Sequence, residues 1–188
     1  DGNTYQTVLI GTQEWMAENL KVTHYRNGDP IPNITDNGQW ANIYSNAYCA
    51  YDNSLSKAST YGLLYNFYAV ADSRNLCPTG WHVPTKDEWS NLIEYLGGAS
   101  VAGNKMKSFG LGSAADNSSG FTALLSGFRQ IPSGSFEELN SQEIWWASPI
   151  YQGNYYSVRV SFRTSNALLE GSLYSDICGF SVRCLKDS

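Results

Sequence analysis

Few residues of this chain could do acid-base, nucleophilic or metal chemistry. In 188 residues there are two histidines and four cysteines: His24, His82, Cys49, Cys77, Cys178 and Cys184. The histidines stand apart and the cysteines have no C-x-x-C spacing, which disfavours a zinc site. No nucleophile elbow, P-loop, dinucleotide-binding glycine set or His-Glu-x-x-His motif occurs. His82 lies between Trp81 and Val83, which favours a structural role for this side chain. For the chain as a whole we expect neither catalysis nor a cofactor.

Calcium is the alternative metal, because acidic and amide oxygens are its usual ligands. Three Asp-Asn pairs could supply them, at Asp36-Asn37, Asp52-Asn53 and Asp116-Asn117. Isolated pairs of this kind are more often turns. We therefore expect no metal site, with calcium as the exception to test.

The amino-acid composition disfavours some classes of binding partner. The net charge is -5 and Lys and Arg form no cluster, which argues against nucleic acid or an anionic membrane. No apolar run approaches the roughly 20 residues of a membrane span. The chain is long enough for one domain, residues 1–188, with an aromatic-rich core. A protein or a glycan ligand is left as the expected partner.

The cysteines indicate an oxidising compartment. Four cysteines allow three pairings, and two free buried thiols are an open alternative. The chain opens at Asp1 without a signal peptide, which is typical of a trimmed fragment. We expect a secreted or cell-surface protein, with a lipid anchor on a removed N-terminus as one possibility.

One stretch is organised around a helix. Thr85 and Glu88 have the spacing of a capping box, and apolar residues recur from Trp89 to Leu96 at helical intervals. Gly97-Gly98 then supplies a left-handed stop. The pattern predicts a helix over residues 86–96.

The remaining first half reads as a hairpin, a long loop and a short helix. The hairpin covers Tyr5 to Ala17 and the loop covers Asn27 to Ala58. We expect four side chains to pin that loop: Trp40, Tyr44, Tyr48 and Cys49. The segment from Tyr61 to Tyr68 is ambiguous, and a short helix near its end is favoured.

The second half reads as a loop followed by antiparallel strands. The loop covers Gly103 to Gly120, and strands are expected at Phe121 to Arg129, from Ile144, around Val158, and from Ala167 to Tyr174. In these strands and the terminal one, the residues expected to face inward are Val158, Val160, Phe162, Phe180, Val182 and Cys184. Ser181 and Arg183 are expected to face outward. The fold class is therefore α+β, with two short helices, small antiparallel sheets and long ordered loops.

Several motifs resemble one family, the Fibrobacter succinogenes major paralogous domain. They are Ile10-Gly11-x-Gln13-x-Trp15-Met16-Ala17-Glu18-Asn19-Leu20, Tyr61-Gly62-x-Leu64-Tyr65-Asn66-x-Tyr68-Ala69-Val70, Cys77-Pro78-Thr79-Gly80-Trp81-His82-Val83-Pro84-Thr85-x-x-Glu88-Trp89 and Gly179-Phe180-Ser181-Val182-Arg183-Cys184. They occur in the family's order across nearly the whole chain. The resemblance implies a C-type-lectin-like fold, related to the formylglycine-generating enzymes, in bacterial secreted or surface proteins.

The resemblance also implies a disulfide between Cys77 and Cys184. Cys49 and Cys178 would then form the second pair, although Cys178 departs from the family pattern. Formylglycine-generating enzymes use a cysteine pair shortly before the terminal strand. Here Cys178 directly precedes Gly179 and Cys184 lies inside the strand, so the activity is not carried over.

The segment from Ala147 to Cys178 is rich in Tyr, Ser, Asn and Gly, the mixture of an antibody paratope. It also resembles the segment that diversity-generating retroelements randomise in variable proteins. We expect the ligand-binding residues there to be Tyr151, Asn154, Tyr155, Tyr156, Arg159, Arg163, Asn166, Tyr174 and Asp176. An ordinary solvated hairpin is the plainer alternative.

Three functions follow. The first is a non-enzymatic recognition module on a cell or phage surface. The second is a structural domain of a cell envelope or appendage, and the third is an oxidoreductase of the formylglycine-generating type.

Overall fold

The structure is a computed structural model that describes residues 1–112, 114–151, 154–161, 163–171 and 175–188, with the backbone alone at 149–151, 154 and 155. Within these ranges the chain is α+β, as predicted, but it has five short α-helices rather than two. They are α1 (Asn37–Ala41), α2 (Leu55–Tyr61), α3 (Phe67–Val70), α4 (Lys86–Tyr95) and α5 (Ala99–Met106). A 3-10 turn covers Tyr51–Asn53. No helix in the described part of the chain is long and apolar enough to cross a bilayer.

Helix α4 begins where the sequence predicts it. Thr85 Oγ1 accepts a hydrogen bond from Glu88 N at 3.2 Å, and Glu88 Oε2 accepts one from Thr85 N at 2.7 Å. These two bonds complete the predicted capping box. After the helix, Gly97 adopts a φ of 102°, which a side chain would strain. Helix α3 confirms the short helix expected near Tyr68.

The described strands form three sheets. They are β1 (Thr7–Ile10), β2 (Gln13–Met16), β3 (Tyr48–Cys49), β4 (Leu64–Tyr65), β5 (Trp81–His82), β6 (Ser126–Arg129), β7 (Phe136–Leu139), β8 (Gln142–Tyr151), β9 (Asn154–Ser161), β10 (Ala167–Gly171) and β11 (Leu185–Lys186). The sheet orders are β1-β2-β11-β5, β10-β9-β8-β6-β7 and β3-β4. Strands β6 and β8 pair in parallel, whereas the other pairs between these strands are antiparallel. The hairpin predicted at the start of the chain is therefore confirmed.

The five-stranded sheet separates two aromatic cores. Trp145 of β8 points to one side of the sheet, where its ring centre lies 5.7 Å from that of Trp89 in α4 and 5.4 Å from that of Phe121. Trp146 points to the other side, and its ring centre lies 4.4 Å from that of Phe180. Successive residues of a strand point to opposite faces, so this tryptophan pair anchors both cores. Val158 and Val160 are buried as predicted, and Phe162 lies outside the described residues.

Two predicted loops contain helices. The stretch from Asn27 to Ala58 includes α1, β3 and the start of α2, because local caps such as the Asp36 side chain at α1 satisfy its backbone. Trp40 and Cys49 are buried as expected, but Tyr44 is 72% exposed and does not pin the loop. The predicted Gly103 to Gly120 loop starts inside α5. The strand expected from Phe121 is limited to β6, which starts at Ser126.

The outward orientation predicted for Ser181 and Arg183 is wrong, since both side chains are buried. Arg183 Nη2 donates to Asn19 Oδ1 at 2.8 Å, and Ser181 Oγ lies 3.0 Å from Ser126 Oγ. The segment runs through the protein interior and bridges to neighbours on both sides. Its polar residues therefore find partners inside rather than in water.

The predicted disulfide between Cys77 and Cys184 is present, with a Cα separation of 6.0 Å. It ties the approach to α4 to the end of the chain. The second bridge is not formed, because Cys49 and Cys178 are both free and buried. They belong to different hydrophobic clusters, Cys49 beside Trp40 and Cys178 in the core that contains Trp146.

Candidate recognition surface

A buried lysine holds the turn between β9 and β10. The described part of this turn, residues 163–166, is called the β9–β10 turn below. Lys107 is 1% exposed, and its Nζ donates to the backbone oxygens of Ser161 at 2.8 Å and Thr164 at 2.6 Å. An ammonium group that donates to two carbonyls makes charge-assisted bonds, which are stronger than neutral ones. Lys107 therefore joins the end of β9 to the backbone of the turn at Thr164.

Helix α5 packs against the same turn. Asn104 N donates to Ser165 O at 3.3 Å, and Ser165 Oγ donates to Ser100 O at 2.5 Å. At Gly103 an added Cβ would lie 2.2 Å from Asn166 O, which is too close for any side chain. Gly103 thus allows the helix backbone to touch the turn.

From this fixed backbone the turn presents Arg163, which is exposed, and Asn166, which is half-buried. The amide of Arg163 donates to Ser161 Oγ at 3.3 Å. Arg163 can therefore offer a planar set of donors to a ligand from a backbone that is already ordered.

Tyr156 and Arg159, also predicted contact residues, lie on opposite faces of the sheet. Tyr156 packs with the α4 and α5 core, and the Nζ of Lys86 lies 5.2 Å from its ring centre. Arg159 faces away from that core and donates through Nε and Nη2 to Glu170 at 3.1 and 2.7 Å. One flat ligand cannot contact both faces at once. The structure therefore separates these two residues.

The other predicted residues are less closely defined. Tyr151 and Asn154 are paired across the β8–β9 hairpin, and Tyr155 follows in β9, but their side chains lie outside the described part. Tyr174 is outside the described residues altogether. Asp176 is half-buried, and its backbone oxygen accepts from Phe67 N at 2.8 Å. Its carboxylate accepts from Ser175 Oγ at 2.9 Å.

A buried carboxylate supports the frame beneath this surface. Glu143 of β8 is fully buried and accepts from the amides of Leu124 and Leu125, each at 2.9 Å, and from Ser126 Oγ at 3.1 Å. Asn19 also donates to it. A buried polar network that is fully hydrogen-bonded rigidifies its surroundings. Burial also lowers the pKa of the neighbouring Arg183 to about 10.

The histidines make carboxylate pairs. His82 Nδ1 lies 2.7 Å from Asp187 Oδ1, and its Nε2 lies 3.0 Å from Glu88 Oε1. Burial opposes the charged ring, but these two partners outweigh it and raise the pKa of His82. His24 Nδ1 lies 2.6 Å from Asp1 Oδ1. Among the described residues, no three His, Cys, Asp or Glu side chains are grouped to hold a metal ion.

The free thiols are poor nucleophiles. Burial raises the pKa of Cys49 to about 12, and it also raises the pKa of Cys178. Since the thiolate is the reactive form, both are held in the unreactive state near neutral pH.

Sequence reasoning missed Lys107, Gly103 and Glu143. Lys107 and Gly103 lie in a Gly-rich stretch that reads as a loop, and α5 has only a weak apolar stripe. A single Lys gives no sign of burial, because lysines are almost never fully buried. Glu143 stands beside the apolar run that starts at Ile144, which was the one available signal.

These features define an α+β domain with a disulfide-tied end and a rigidly supported surface turn. The sequence matches the family described as the Fibrobacter succinogenes major domain over residues 8–186. The chain belongs to that family. No curated protein and no solved structure matches the chain.

Proposed function

We propose that this chain is a non-enzymatic recognition module whose contact face is centred on the β9–β10 turn. The observation that carries the proposal is the clamp on that turn: Lys107 and α5 hold its backbone while Arg163 is exposed. A binding loop that is ordered before it meets its ligand loses less entropy on binding.

The residue types of segment 147–178 also support a role in recognition. Arg is enriched among the residues that dominate binding energy, and Tyr supplies rigid contact area. Arg163 and Asn166 form the described centre of the face. Tyr151, Asn154 and Tyr155 stay predicted contacts, but their backbone lies at the opposite end of β9 from this turn. Tyr174 lies outside the described residues, and Asp176 is half-buried.

An oxidoreductase of the formylglycine-generating type needs a reactive cysteine pair. The free cysteines here are buried in separate clusters, and burial raises the pKa of each. These observations favour recognition over thiol chemistry.

The setting proposed is a cell or phage surface. The Cys77–Cys184 bridge is compatible with an oxidising compartment, where disulfides persist. Diversification of segment 147–178 by a retroelement would explain its paratope-like composition. A reverse transcriptase gene and a near-identical template repeat beside this gene would test that part of the proposal.

The face is tested by screening the protein against glycan and surface-protein arrays and then measuring a hit by calorimetry. Arg163→Ala together with Asn166→Ala should weaken binding at least about tenfold, which is about 1.4 kcal/mol. Lys186→Ala is the matched control, since its exposed ion pair with Glu14 contributes little. Equal loss of binding in the control, or full binding by the double variant, would contradict the proposed face.

A further inference from the structure

A groove beside β3 is a second candidate binding site. Its volume is about 350 Å³, and its walls come from β3, α2 and the chain segments around Lys21 and Asn33. This volume lies at the lower end of the range for small-molecule pockets. None of the described residues of segment 147–178 lines it.

Part of the lining of the groove is apolar, and it includes one aromatic ring. Tyr48 lies across from Tyr65 in the β3–β4 pair, and their ring centres are 6.3 Å apart. Ala58 and Leu63 continue this surface, and Leu55 lines it while 87% exposed. A half-buried tyrosine held by strand pairing is a rigid platform with a polar tip. The groove therefore offers a ligand apolar contacts and a tyrosine ring.

The rest of the lining is rich in amides and hydroxyls. Its members with these groups are Asn3, Thr23, Asn33, Thr35, Asn53 and Ser59. The amide of Asn53 is oriented by its bond to Thr35 O at 3.0 Å, which uses one of its two N–H groups. The side chain of Asn33 is exposed. An amide group both donates and accepts, as a hydroxyl ligand requires.

The groove is electrically balanced. Lys21 is the one charged residue in its described lining, and its Nζ lies 2.7 Å from Glu18 Oε2. The ammonium charge is therefore already paired, and no described residue of the lining offers a carboxylate to a cation. An acidic or basic ligand would find no opposite charge here.

We propose that this groove binds a neutral saccharide. A sugar ring presents C–H groups on one face and hydroxyls around its edge. The C–H face would lie on Tyr48 and Leu55, and the hydroxyls would bond to the amides of Asn33 and Asn53. This site goes beyond the recognition face and does not depend on it, because the two share no residues.

The test is a titration of ¹⁵N-labelled protein with cellobiose, lactose, maltose and di-N-acetylchitobiose, observed at the side-chain amides of Asn33 and Asn53. At least one sugar should shift both signals saturably, with a Kd on the order of 1 mM. Tyr48→Ala should lose the response, whereas Tyr48→Phe keeps the ring and should retain it. Tyr44→Ala is the control, because Tyr44 is exposed and does not line the groove.

Two results would overturn the proposal. One is the absence of any shift at about 20 mM sugar, where a site with a Kd of about 1 mM would be filled. The other is a response to N-acetyl-leucine amide without a response to sugars, which would assign the groove to an apolar peptide. Arg163→Ala should leave the sugar titration unchanged, and loss of the titration in that variant would refute the placement in the groove.

Discussion

Replacement of Lys107 by Met tests whether a buried ammonium fixes the β9–β10 turn. Methionine fills a similar volume but removes the ammonium donor to Ser161 O and Thr164 O, and leaves Ser161 O with a long bond of 3.5 Å from Thr164 N. Hydrogen bonds to a charged group are worth about 1.5–3 kcal/mol each, so two amount to about 3–6 kcal/mol. Part of this is offset, because burial disfavours the ammonium, as the lowered pKa of Lys107 indicates. We expect a net loss of about 1–3 kcal/mol.

The loss of stability in Lys107→Met should be concentrated in the β9–β10 turn. Amide hydrogen exchange at Arg163 and Thr164 should accelerate by about 5- to 150-fold if the turn opens independently, since each 1.4 kcal/mol is a factor of ten. The melting temperature should fall by about 3–10 °C. Lys105→Met, in the last turn of α5 two residues before Lys107, is the control and should leave the β9–β10 turn unchanged. Unaltered exchange in Lys107→Met would refute the clamp, even if the melting temperature fell.

Three further predictions concern the frame. Replacement of Cys77 and Cys184 by Ala opens a loop with a sequence separation of 107 residues. The free energy of unfolding should fall by about 5 kcal/mol and the melting temperature by about 10–15 °C. A change below about 2 °C would show that the bridge does not constrain the unfolded chain. His82 has a raised folded pKa, so its stabilisation should be complete below its unfolded pKa of about 6.5 and be lost as pH rises through the folded value. Urea titrations across pH 5–9 should show this slope in the parent protein and lose it in His82→Gln; an equal slope in the variant would assign the effect to other groups. In a thiol assay, Cys49 and Cys178 should react only after unfolding, and fast labelling of the native protein would reopen the oxidoreductase hypothesis.

The elements that depend on local sequence signals were predictable. Helix α4 needs only the Thr85 cap, the apolar stripe and Gly97, all of which are contiguous. The first hairpin and the alternation at Val158 and Val160 are local in the same sense. The Cys77–Cys184 pairing came from family resemblance, because four cysteines alone leave three pairings open.

The wrong predictions concern residues whose burial or secondary structure depends on contacts with residues far away in the sequence. Arg183 reads as a surface residue, yet it is buried because Asn19, far away in sequence, accepts its hydrogen bonds. Helix α5 reads as a loop because Gly103 weakens the helical pattern. That glycine is there for the close approach of Asn166, which no local pattern reveals.

The candidate face was predicted by composition alone, and composition does not assign sides of a sheet. Tyr156 and Arg159 are three residues apart, and in a strand an odd separation places side chains on opposite faces. The predicted strand therefore already conflicted with naming both residues as contacts of one face, and the structure places them on opposite faces. The clamp by Lys107 was beyond the sequence, since it joins a helix to a turn more than fifty residues later.

The most direct test of the recognition hypothesis is calorimetry of one array-selected ligand against the parent protein, Arg163→Ala with Asn166→Ala, and Lys107→Met. Recognition by a turn that is ordered in advance predicts weaker binding in both variants. In the double variant the melting temperature should be unchanged, and in Lys107→Met the entropy of binding should be less favourable. Full-strength binding by both variants would contradict this account, and chemical turnover of the ligand would replace it with an enzyme.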